Sequence, residues 1–182
     1  MVPSRADVVI VGGGVMGVST AYHLASRGCR DVVLLERAPL LGAEATGKCA
    51  GGIRYQFSTE INVRLSLLSM PMLDSFEEEL GQSIDLRKTG YLFLLDNDDD
   101  IAVFRSNVAR QRKLGVGSQI MSFEEVKERV PLLNLDGIVG GAYNAADGLA
   151  DPGGVVQGYD TGARRAGARL LTGVTVTGIQ VA

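Results

Sequence analysis

The sequence holds two cysteines and one histidine in 182 residues. Cys29 and Cys49 have neither metal-ligand spacing nor the density of a disulfide framework. A structural zinc site and a disulfide-stapled secreted scaffold are therefore excluded, and a reducing cytoplasm is the expected location. No run approaches the ~20 apolar residues of a membrane span. Met1 to Asp7 leads straight into an apolar strand, so no signal peptide is expected. Strong charge of one sign is also lacking, since a net charge of −3 gives no reason to expect nucleic acid or an anionic membrane as partner. What is present, 46% hydrophobic and 21% charged residues, suits an ordinary soluble globular chain with one sizeable core.

Glycine is the abundant residue, at 24 positions. Gly28, Gly81, Gly115 and Gly167 fall at turns or helix ends, so the count does not signal disorder. The informative glycines follow the β-branched run Val8-Val9-Ile10-Val11, which reads as a parallel strand buried on both faces. Gly12, Gly14 and Gly17 then stand on the G-x-G-x-x-G spacing, and Val32-Val33-Leu34-Leu35 leads to Glu36. That order is the first βαβ unit of a dinucleotide site. Gly12 permits the tight turn, Gly14 lets backbone approach a pyrophosphate, and Gly17 lets the helix lie near the sheet. The helix, expected over Val15–Arg27 and ending at Gly28, turns free N–H groups and a positive dipole end towards the anion. Glu36 can accept hydrogen bonds from a ribose and would repel a 2′-phosphate, which disfavours NADP. The motif alone leaves FAD and NAD both open.

Beyond this unit, Gly42–Arg54 is too glycine-rich for a regular element and too apolar for a linker, as in loops whose backbone approaches a ligand. A helix is expected over Thr59–Glu79, kinked at Pro71, with Ile61, Leu65, Leu68, Met72 and Phe76 as its core-packing stripe. Strands follow at Asp85–Arg87 and Gly90–Leu95. Asp96–Asp100 reads as a solvated turn capping a helix over Asp98–Leu114. Ser122 and Glu125 form a capping box for a short helix ending near Pro131. Ile138–Tyr143 is a strand candidate, Asp151-Pro152 opens a helix ended by Gly167, and strands are expected at Arg169–Leu171 and Val174–Val181. The fold class is α/β, a Rossmann-like nucleotide-binding domain interrupted by a mixed α+β insertion.

Three motifs in order resemble a known family: Gly12–Gly17, the Glu36-Arg37 strand end, and Ala45–Phe57. With Asp147–Pro152, Tyr159 and Gly162–Ala168, they resemble the FAD-dependent oxidoreductases of the D-amino-acid oxidase superfamily, nearest to the sarcosine oxidase β-subunit-like branch. The resemblance selects FAD as cofactor. It implies an enzyme oxidising the C–N bond of a small amine or N-methyl amino acid such as sarcosine, by hydride transfer to flavin. Electrons would then pass to oxygen or an acceptor protein, with partner subunits as a further expectation. It also implies an FAD-binding domain at 1–82 and 136–182 and part of a substrate-binding domain at 83–135. Ending within a strand, the chain is expected to be the amino-terminal part of a longer protein whose second half completes both domains.

By the same resemblance, Gly12, Gly14, Met16 and Gly17 contact the pyrophosphate, and Glu36 and Arg37 surround the ribose and adenine. Thr46, Cys49, Gly51 and Gly52 run beside the pyrophosphate and flavin, and Val176 lies by the adenine. Cys49 is read as a small residue there, not as a point of flavin attachment. Arg54 is the candidate for a substrate carboxylate, because a guanidinium binds one bidentately; the alternative is a phosphate contact or a structural ion pair. His23 is read as structural, Cys29 as buried, and Arg164 and Arg165 as surface charges at a helix end. No residue is assigned as catalytic and none as a metal ligand. Two alternatives are a non-catalytic FAD-binding or assembly protein of the same fold and an NAD-dependent dehydrogenase.

Overall fold

The four β-branched residues at 8–11 form a strand because their side chains pack on a pleated surface better than on a helix. In the computed structural model, which describes residues 2–181, this strand is β1 (Val8–Val11). It leads into α1 (Val15–Ser26) and β2 (Val32–Leu35). There follow β3 (Gly52–Ile53), α2 (Glu60–Asp74), α3 (Phe76–Leu80) and β4 (Tyr91–Leu95). Next come α4 (Asp98–Lys113), β5 (Gln119–Ser122), α5 (Phe123–Arg129) and β6 (Gly140–Asn144). The last are β7 (Gly148–Leu149), α6 (Pro152–Arg165) and β8 (Arg169–Leu171).

Two compact units result. The first contains residues 1–51, 75–85 and 150–182, and the second contains 52–74 and 86–149. In the first, a parallel sheet has the order β1-β2-β8, with Val8 beside Val32 and Leu34 beside Leu170. Val32, Val33 and Leu34 are buried, as a central parallel strand requires. β1 departs from expectation. Val9 and Val11 are more than half exposed, because β1 is a sheet edge with one face uncovered. On the covered side, Tyr22 of α1 and Phe76 of α3 meet Tyr159 of α6 with ring centroids 5.5 and 4.9 Å apart. His23 stacks beside Tyr22 at 5.0 Å, which fits its structural reading. Asp151 caps α6 by accepting from the Gly153 and Gly154 amides at 2.9 Å.

The second unit is built on an antiparallel sheet, β4-β6-β5. Its core joins Met121, Val126, Leu135 and Tyr143. Ser122 and Glu125 form the expected capping box, and Asn97, not an aspartate, is the N-cap of α4. β5 escaped the sequence reading, since four residues with one polar at each end carry little periodicity.

Other expectations need correction. The helix expected over Thr59–Glu79 is two helices that break at Ser75, while α2 continues through Pro71. Of its stripe only Phe76 is core, at 1% exposed: Ile61, Leu65, Leu68 and Met72 are 63%, 53%, 65% and 37% exposed, and on α2 Val63 and Met70 are buried instead. The face buried in this fold is offset from the strongest apolar periodicity. Asp85–Arg87 is no strand, because Asp85 takes a left-handed φ of 46° and only Arg87 bridges to Leu149. The Val174–Val181 strand is also absent. Val174 N–H still donates to the Glu36 carbonyl, but no ladder continues beyond it, and a strand without a partner has nothing to hold it extended. Cys29 is half-buried rather than buried.

Candidate functional site

At the end of β1 the chain must turn sharply into α1, and Gly12 does so with φ of 107°, a conformation that side chains resist. A Cβ at Gly17 would collide with the Gly12 carbonyl, so α1 can start this close to the turn only with glycine there. The first-turn amides of a helix have no acceptor within it. Here Val15 N–H donates to Thr46 Oγ1 at 3.1 Å. Glu36 accepts from Gly13 N–H at 2.6 Å with Oε2 and from Ala38 N–H at 2.7 Å with Oε1. Those two backbone donors, Ala38 first, hold its carboxyl below the usual range. The carboxylate therefore fixes the glycine turn to the end of β2.

A cavity of about 480 Å³ lies over this turn within the first unit. Gly12, Gly14, Glu36, Arg37, Thr46 and Val176 all line it. Six of the residues proposed from the sequence as cofactor contacts thus share one wall. Val176 reaches it because Gly173 N–H bonds Ala38 and Val174 N–H bonds Glu36, prolonging the β2–β8 pairing by a few residues. Arg37 and Lys48 both approach Glu44, at 4.0 and 2.6 Å, which ties the small-residue loop to the strand end. Glu44, Gly42 and Thr175 also line the cavity, and the sequence reading missed them for want of a side-chain signature.

Other proposed contacts stand outside the lining. Gly17 lies under the turn, and Met16 is exposed on α1. Cys49 is exposed, its Sγ donating to the Thr46 carbonyl at 3.0 Å. Gly51, with φ of 75°, sits where a Cβ would strike the Ala150 carbonyl, so its glycine serves a chain crossing. Gly52 belongs to β3 in the second unit.

Arg54 also belongs to the second unit, with its guanidinium 5.4, 5.2 and 5.3 Å from the ring centres of Phe57, Tyr91 and Phe93. Among the described residues no carboxylate lies within ion-pair distance of it. It lines a 240 Å³ cavity with Asn62, Ser66, Ser69 and Met70. Contact through the ring faces leaves the edge of the planar guanidinium, which carries its N–H donors, as the part an anion would meet. Behind it, Asp147 is fully buried and accepts from Tyr55 N–H at 2.8 Å, Gln56 Nε2 at 3.0 Å and Asn144 Nδ2 at 2.6 Å. Burial raises its pKa against the opposing pull of these donors and of the Arg54 charge.

A helix start beside the cavity, a turn closed to side chains and a carboxylate at the strand end together fit an anionic dinucleotide. A family model described as FAD dependent oxidoreductase, DAO, matches residues 7–182. The chain belongs to the DAO family. It is 37% identical to dimethylglycine dehydrogenase, mitochondrial, of Rattus norvegicus over 97% of its own length and 20% of that protein. It is 32% identical to sarcosine dehydrogenase, mitochondrial, of Mus musculus over 98% of its length, again 20% of that protein. The solved L-proline dehydrogenase from P. horikoshii matches the whole chain at 36% identity and a TM-score of 0.87, over 47% of that structure. The chain therefore spans about a fifth of these two relatives and about half of this neighbour. The fold is that of FAD-dependent oxidoreductases, and FAD is the family's cofactor, which sets aside the NAD-dependent alternative. Among the described residues there is no metal-ligand cluster, and no helix is long and apolar enough to cross a membrane.

Proposed function

We propose that this DAO-family chain carries the FAD cradle and a carboxylate-binding arginine of an amine oxidoreductase. Its substrate would be a small N-alkylated amino acid, oxidised at the C–N bond. The single observation behind this reading is the pairing of chemistries: a cavity over the glycine turn, and an arginine on aromatic rings with no carboxylate within ion-pair distance among the described residues. Dimethylglycine, sarcosine and proline, the compounds in the three relatives' names, each present one carboxylate and an alkylated nitrogen.

Gly12, Gly14, Gly17 and the start of α1 would hold the pyrophosphate, with Met16 at the same turn. Glu36, Arg37 and Val176 would surround the ribose and adenine. Thr46, Cys49, Gly51 and Gly52 would run beside the pyrophosphate and flavin. Bound FAD supplies the electron acceptor for C–N oxidation. The protein's own part is binding and orientation, with Arg54 fixing the substrate carboxylate. In this reading the first unit serves the cofactor, the second unit, which carries Arg54, serves the substrate, and oxygen or an acceptor protein takes the electrons. Cytoplasmic placement rests on the sparse cysteines alone.

The cavity is built from the first unit by itself, which favours a second reading: FAD binding without turnover, as in an assembly protein. Purified chain should show flavin absorbance that bleaches without oxygen on adding sarcosine, dimethylglycine or proline. A colourless protein would remove the FAD assignment. Colour that no amine bleaches, D-amino acids included, would select the non-catalytic reading.

A further inference from the structure

A guanidinium held only by ring faces is poorly fixed, because cation–π attraction tolerates sliding across the face. Something else must set where Arg54 stands. The next two residues supply it. Tyr55 N–H and the Gln56 amide both donate to Asp147, and Gln56 Nε2 also reaches the Tyr91 carbonyl at 2.8 Å. Asn144 Nδ2 donates to the same carboxylate at 2.6 Å, joining this network to the end of β6. Asp147, Asn144 and Gln56 are 0%, 2% and 7% exposed, so water does not compete for these bonds.

We propose that Asp147 is the positioning residue for Arg54, a buried carboxylate that anchors the 55–56 backbone and thereby sets the guanidinium over the Tyr91 and Phe93 rings. As a device for binding a carboxylate substrate, this rests on the reading of Arg54 given above. The carboxylate accepts three donors at once, which an amide in the same place cannot do. Asp147→Asn keeps the shape but turns an NH₂ group towards a donor, so the segment must shift.

The test uses the full chain, ¹⁵N-labelled, with the Arg54 Nε–Hε signal assigned through Arg54→Lys. Acetate is the probe. Asp147→Asn is expected to move this signal without ligand and to weaken acetate binding about tenfold, as when a charge-assisted hydrogen bond is misaligned. Val126→Ala, a cavity in the separate Met121–Tyr143 core, controls for general loosening and should move neither. A folded Asp147→Asn chain with the Arg54 signal unmoved overturns the proposal. If that variant does not fold, Gln56→Met removes one tie, and an unmoved signal there overturns it equally. If acetate leaves the wild-type signal unchanged while Asp147→Asn still shifts it, positioning stands and the carboxylate reading of Arg54 falls.

Discussion

At the scale of single residues, the dinucleotide cradle depends on two different exclusions. Gly17 excludes a side chain by space and Gly12 by backbone angle. Gly17→Ala forces α1 away from the turn and should cost about 3 kcal/mol, the upper range for overpacking, in urea unfolding. Gly12→Ala pays for the left-handed turn instead, about 1–2 kcal/mol. Glu36 carries a pH signature as well. Backbone donors lower its folded-state pKa, so its stabilisation is complete above the ordinary glutamate value of roughly 4.3 and is lost as pH falls through the folded value. Glu36→Gln should therefore flatten the acid limb of the stability profile. An acid limb as steep as that of the parent would show that the Gly13 and Ala38 bonds do not form in solution.

At the scale of elements, caps and faces make separable predictions. Asp151 satisfies two amides at the start of α6, so Asp151→Ala should lower stability by about 1 kcal/mol. The exposed stripe of α2 gives a sharper test. Leu65→Glu and Leu68→Glu should each change unfolding free energy by no more than about 0.5 kcal/mol, as surface changes do. Core placement would instead cost several kcal/mol, and a loss of that size would overturn the burial described here. Caps were legible because each is a local hydrogen bond between near neighbours in sequence. The α2 face was not, because periodicity reports that a helix has an apolar side without reporting which side its neighbours cover.

At the scale of the whole molecule, each unit has its own sheet and its own core, and the cofactor cavity belongs to the first. FAD at a hundredfold excess over its Kd should stabilise the chain by about 2.7 kcal/mol, read as a raised Tm, and NAD should leave the Tm unchanged. No shift with FAD would mean that the cradle is shaped for a dinucleotide it does not hold. The first βαβ unit and the caps of α5 and α6 were fixed by residues close together in the chain, and the family by several such short motifs in order. Hydrogen bonding at turns and helix ends is local, so sequence spacing suffices to specify it. Four matters needed the fold. They are the exposed face of β1, the unpaired stretch after Val174, the gathering of six proposed contacts around one cavity, and the burial of Asp147 behind Arg54. Each depends on which distant segment stands alongside, and a carboxylate 92 positions from the backbone it holds leaves no periodic trace in the sequence.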